Sequence, residues 1–206
     1  FPKNDEESEQ ARRQIIYQEF FLYQVRLQML QRSRKTNNRG IPILYDVDKL
    51  KGFIATLPFE LTDGQKKVVN EICRDLRKPY EMNRLLQGDV GSGKTIVAVV
   101  ALMATVLGGY QGAFMVPTEI LAEQHYRTLQ SLFEYTDVSV ALLTGSTKAK
   151  DRKELLHRLA EGDLHILIGT HALIQEDVVF ADLGLVITDE KHRFGVQQRH
   201  KLNEKG

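Results

Sequence analysis

Cysteine is nearly missing from this chain of 206 residues, with Cys73 alone. No internal disulfide forms, and no Cys-x-x-Cys pair stands ready for zinc. Six histidines are scattered without the spacing of metal ligands, which argues against a structural zinc site. No apolar run reaches the ~20 residues of a membrane span. The longest, Ile96–Leu107, is short and carries Thr105. Residues 1–20 lack the basic, apolar, small-residue succession of a signal peptide. Repeats and low-complexity tracts are absent too, and 28 basic against 27 acidic side chains leave a net charge of only +1. These absences exclude a membrane span, a disulfide scaffold and a broadly basic nucleic-acid-binding surface.

What remains is a globular composition, 42% hydrophobic and 27% charged, long enough to bury a sizeable core. The lone cysteine is expected on the buried face of a helix in a reducing cytoplasm. The chain starts on Phe1 and is read as a piece of a longer protein. Charge is polarised near the start, with a balance of −2 over residues 1–19 and +5 over residues 20–40. That polarity fits a helix whose ends complement its dipole, or a patch for nucleic acid. Ile16, Phe20, Tyr23, Leu27 and Leu30 recur at helical spacing, so residues 5–35 read as one long helix. A shorter helix fits Asp48–Leu57. Residues 1–58 are therefore a helical lead-in or linker, and residues 59–206 the domain proper.

From Leu61 onward the pattern alternates short apolar strands with amphipathic helices. Helices are expected at Thr62–Arg77, Lys94–Leu107, Glu119–Phe133 and Lys150–Ala160. Strands are expected at Arg84–Gln87, Gly112–Val116, Val138–Leu143, His165–Gly169 and Leu185–Thr188. Such a succession predicts an α/β fold with a parallel sheet between helices. Ligands of these sheets bind beyond the carboxyl ends of the strands.

One motif carries definite chemistry. Gly88-Asp89-Val90-Gly91-Ser92-Gly93-Lys94-Thr95 matches G-x-x-x-x-G-K-[ST] in full, between an expected strand and an expected helix. Its glycines let successive N–H groups turn inward around phosphate oxygens, and the following helix adds its positive end. Lys94 is placed to reach the β and γ phosphates of ATP, and Thr95 to ligate Mg²⁺. A second carboxylate for that metal is needed at the end of a neighbouring strand. Leu185-Val-Ile-Thr-Asp189-Glu190 supplies Asp189 for the ion and Glu190 as the base for an attacking water.

Asp189-Glu190-Lys191-His192 resembles the DExH box of superfamily 2 helicases. The blocks Leu61–Gln65, Met115–His125, Leu143–Ser146, Ile168–Leu173 and His192–Arg199 resemble the RecG branch-migration helicases and, in part, the related Mfd coupling factors. Leu86–Thr95 followed by Arg193-Phe-Gly-Val is shared by that group. The resemblance runs from Leu57 to Arg199 and implies a RecA-like P-loop NTPase lobe. It further implies a bacterial cytoplasmic enzyme that drives branch migration or remodelling of branched or duplex DNA in recombination and repair. A second RecA-like lobe and a DNA-wedge domain of the same full-length chain would be its partners, with residues 1–50 as the connection to the wedge. No Ser/Thr-Ala-Thr block follows the box, so this chain is expected to be half a motor, weakly active or inactive alone.

The resemblance also assigns single residues. Gln65 would recognise adenine, although Thr62-x-x-Gln65 is equally a capping box. Thr118, Thr144, Gly145, Thr170 and His171 follow expected strands and would meet DNA phosphates; N-capping of the next helix explains the same threonines. His192 would couple to the second lobe. Lys191 departs from the family, which has Gln at that place of the box. A lysine there can pair with a neighbouring carboxylate, lower its pKa and weaken Glu190 as a base. Two other readings stand beside the helicase: a nucleotide-binding module that does not hydrolyse, and a metabolic P-loop enzyme.

Overall fold

The computed structural model describes residues 42–77 and 94–188. The expected helix over 5–35 and the expected strand at 84–87 lie outside these residues. Helix α1, Val47–Ala55, starts where the Asp46 carboxylate accepts hydrogen bonds from the N–H groups of Asp48 and Lys49 (3.0 and 3.2 Å). It ends two residues sooner than expected. The Thr56 hydroxyl donates to the carbonyl of Phe53 at 2.6 Å, and Thr56 closes the last turn. Helix α2, Asp63–Leu76, opens on the expected capping box: the Thr62 N–H donates to Gln65 Oε1 (2.9 Å) and the Gln65 N–H to Thr62 Oγ1 (3.2 Å). Its buried stripe, Val69, Ile72, Cys73 and Leu76, follows the helical period. The lone cysteine sits on that stripe, as expected.

Helix α3, Lys94–Leu107, has the expected bounds but not the expected two-sided character. Every side chain from Ile96 to Ala104 is buried. The reason is placement: α3 packs against α1 and α2 and against the sheet. Even Thr105 is fully buried, its hydroxyl donating to the Ala101 carbonyl at 2.9 Å.

The rest of the order is β1 (Gln111–Met115), α4 (Glu119–Leu132), β2 (Val140–Leu143), α5 (Ala149–Glu161), β3 (Ile166–Gly169), a 3-10 turn (His171–Ile174) and β4 (Leu183–Thr188). The four strands are parallel in the order β2-β3-β1-β4. Alternate side chains feed two cores. Phe114, Ile166, Ile168, Leu185 and Ile187 face α1, α2, α3 and α4, whereas Ala113, Met115, Leu143, Leu167 and Leu183 face α5 and the 3-10 turn. Helices thus cover both faces, as a parallel sheet requires. Ile43 joins the first core, 2% exposed, with its N–H on the Leu76 carbonyl at 2.7 Å.

Strand β4 begins two residues before its expected start. Gly184 looks like a strand breaker in sequence, but a Cβ there would lie 2.6 Å from Cβ of Tyr110. Glycine lets the strand pass that ring, and pairing extends to Leu183, across from Gln111 after a shift in register. Gln111 is 4% exposed and fully used. Its amide donates to the carbonyls of Leu159 (3.0 Å) and Leu164 (2.7 Å), and its oxygen accepts from the Asp182 N–H (2.8 Å). One buried amide therefore ties β1 to the end of α5 and to the start of β4. No described helix is long and apolar enough to cross a membrane.

Candidate functional site

Because the strands are parallel, all four carboxyl ends share one edge. Thr188 and Gly169 stand opposite Met115, and Leu143 stands opposite Gly169. Helix α3 packs on β1 and β4 and turns through Gly108–Tyr110 into the start of β1. Its amino end, Lys94 and the half-buried Thr95, is therefore turned toward the edge where β4 stops at Thr188. The next residue in sequence is Asp189. Gly88–Gly93, Asp189, Glu190, Lys191 and His192 lie outside the described residues, so the fold brings together the segments that border them. A positive helix end with the Thr95 hydroxyl in its first turn is of the kind that suits a nucleotide phosphate.

Gln65 stands in the first turn of α2, and the residues expected to meet DNA sit on three loops of the same edge. Thr118 caps α4, its hydroxyl accepting from the Leu121 N–H at 3.2 Å. Thr170 caps the 3-10 turn by accepting from the Ala172 N–H. Thr144 is buried, and its hydroxyl accepts from the Ser146 N–H at 3.2 Å, while its own N–H donates to Thr147 Oγ1 at 3.0 Å. Thr118 and Thr170 thus do the capping expected of them, whereas Thr144 closes a turn instead, because the next helix starts only at Ala149, behind Lys148. Gly145 and His171 are exposed beside them. Gly169 is held close beneath, because a Cβ on it would collide with the Leu143 carbonyl.

Two polar links on this edge had no sequence signal. Ser146 donates to Glu119 Oε2 at 2.6 Å, across 27 residues of chain. Arg152 of α5 holds the loop after the 3-10 turn, pairing with both oxygens of Asp177 and donating to Gln175 Oε1 at 2.6 Å. Arginine at a helix start reads as an ordinary surface charge, and its partners emerge only on folding.

His125 and His165 are both packed into the fold. His125 lies on α4, 3% exposed, stacked on Phe114 of β1 with ring centroids 4.8 Å apart. Burial lowers its pKa below the usual 6.5. The His165 pKa is lowered as well, first by burial and then by the Arg158 charge, and Nδ1 of His165 accepts from the Ser139 N–H at 2.9 Å. The sign follows: as pH falls below 6.5 the unfolded chain takes up protons before the folded one, so stability is full above that value and drains away below it. Urea midpoints measured from pH 7.5 to 5 should fall. In His125→Phe the midpoint should fall less, and an unchanged slope would contradict the burial argument. At the other extreme, burial raises Tyr45, which hydrogen-bonds Cys73, to about 12.

Comparison with known proteins agrees with this architecture. Residues 62–205 match the DEAD/DEAH box helicase family. The chain is 58% identical over 205 residues to the ATP-dependent DNA helicase RecG of Bacillus subtilis strain 168, covering all of this chain and 30% of that protein. The same helicase of Staphylococcus aureus strain NCTC 8325 is 57% identical with the same coverage. A solved structure of RecG bound to a three-way DNA junction matches with a TM-score of 0.67 and 38% identity, over 93% of this chain and 29% of that one. The chain thus spans about three-tenths of the length of its curated relatives. Its sheet order, its RecA-like layering and the match from the α2 cap onward lead to one assignment: the chain belongs to the DEAD/DEAH box helicase family.

Proposed function

We propose that this chain is the first motor lobe of an ATP-dependent helicase of the RecG kind, acting on branched DNA. One observation carries the reading: relatives 57–58% identical over the whole chain bear the name ATP-dependent DNA helicase RecG. That likeness favours RecG over the Mfd alternative. The RecG structure similar to this fold was solved on a three-way DNA junction, which supports branched DNA as the partner. In this reading the second RecA-like lobe and the wedge domain belong to the remainder of the full-length protein. Residues 1–58 lead into the lobe formed by residues 59–206. The setting is bacterial cytoplasm, in repair and recombination.

The roles divide by chemistry. Backbone N–H groups of Gly88, Asp89, Val90, Gly91, Ser92 and Gly93 cradle the phosphates of ATP, and Lys94 neutralises the β and γ groups. Thr95 and Asp189 hold Mg²⁺, which supplies further neutralisation of phosphate charge. Glu190 accepts the proton of the attacking water, and His192 links the site to the second lobe. Gln65 can serve adenine beyond its cap, since an amide carries two donors and an acceptor with two lone pairs. Thr118, Thr144, Gly145, Thr170 and His171 meet DNA phosphates through N–H groups and through threonine O–H groups, since hydroxyls that accept local bonds can still donate.

Contacts of this type carry no sequence information, and a net charge of +1 draws duplex in only weakly. The 206-residue chain should bind DNA in the ~10⁻⁴–10⁻⁶ M range of non-specific complexes, at the weak end, with affinity falling gently as salt rises. Fluorescence anisotropy with two unrelated sequences at several salt concentrations measures this. Tight, salt-resistant binding of one sequence would mean base readout and end the proposal for these loops.

A further inference from the structure

The loops that follow β1 and β2 are not neighbours. In the order β2-β3-β1-β4 the end of β3 lies between them, so they stand about two strand spacings, roughly 9–10 Å, apart. A side-chain bond spans that gap, from the Ser146 hydroxyl to Glu119 Oε2 at 2.6 Å. The other carboxylate oxygen, Oε1, rests over Gly145, within 3.5 Å of where a Cβ would stand. Each end of the bridge is itself braced. Glu119 is in the first turn of α4, behind the Thr118 cap. Ser146 belongs to a turn closed by Thr144 and Thr147, with bonds of 3.0 to 3.2 Å.

A carboxylate at the edge proposed for phosphates would oppose binding by its charge. It sits instead in a bond that points it along the edge, at the loop two strands away. We infer that Glu119 is a positioning residue for nucleic acid. Acting through Ser146, it sets the Thr118 loop and the Thr144–Thr147 turn at a fixed spacing over the end of β3, so that one DNA backbone meets both as a single surface. The inference rests on the DNA-contact reading of these loops.

The two oxygens of Glu119 make charge and position separable. Glu119→Gln keeps an oxygen that accepts from Ser146 and loses the charge. Glu119→Ala loses both, and Ser146→Ala loses the bond alone. In the full-length helicase, stimulation of ATP turnover by a three-way DNA junction gives the DNA concentration for half-maximal rate, and the KM for ATP is read alongside. Ser146→Ala and Glu119→Ala should raise the half-maximal DNA concentration about threefold to tenfold, the reach of one net hydrogen bond. Glu119→Gln should match the parent or fall below it, and the KM for ATP should not follow these changes. A purely electrostatic role would instead make both Glu119 variants bind more tightly, and a merely structural one would move both constants together. Either result overturns the inference, as does a Ser146→Ala variant identical to the parent. His171→Asp separates the two levels by placing a new charge on the exposed loop after β3. If it alone weakens DNA stimulation, the bridge has no positioning role while the DNA reading stands. If it and the other variants all leave stimulation unchanged, the DNA reading fails and the inference falls with it.

Discussion

Glu190→Gln in the full-length protein is expected to leave Mg-ATP binding intact and to cut DNA-stimulated turnover by about 10²–10⁴-fold, the usual contribution of a positioned base. Glu190 follows Asp189 in sequence, two residues past the last residue of β4, Thr188. That strand is pinned at its carboxyl end by pairing with Met115 and packs against α3. Glutamine keeps the shape and the acceptor oxygen but takes no proton from water at neutral pH. Nucleotide affinity by calorimetry and turnover by phosphate release should therefore separate. If binding is lost together with turnover, Glu190 supports the loop and is no base.

Lys94→Ala should act one step earlier, on binding. On the proposed role of Lys94, losing a charge paired with phosphate oxygens should cost about 2–5 kcal/mol, roughly thirtyfold to several thousandfold in affinity. The fold should tolerate the change, because Lys94 only opens α3 and the buried run starts at Ile96. Alanine is also the best helix former. Calorimetric titration should show no measurable Mg-ATP binding at micromolar concentrations while the urea midpoint stays put. Unchanged affinity would remove the P-loop assignment.

Much of this architecture was legible before folding, for identifiable reasons. Periodicity located α2, α3, α4 and α5 to within about one residue at most ends, since their caps and breakers are local: the Thr62–Gln65 box, the Thr118 cap, and Gly108 after Leu107. The four strands within the described residues were found, but their starts moved by one or two residues, while β2, β3 and β4 end where expected. Gly184 looks like a terminator in sequence and is a strand residue in the fold, because clearance from Tyr110 is a tertiary fact.

Residue type and spacing along the chain were enough to determine the fold class and the helicase family, because each depends on local backbone geometry and on chemistry carried within a few consecutive residues. The tertiary structure decided what depends on long-range approach. It made α3 buried all round, by setting it between the sheet and α1 and α2. It drew the Thr118, Thr144 and Thr170 hydroxyls into local bonds as acceptors. It also joined Glu119 to Ser146 across 27 residues, an approach set by strand order and by the width of an intervening strand, neither of which is written at any one position of the chain.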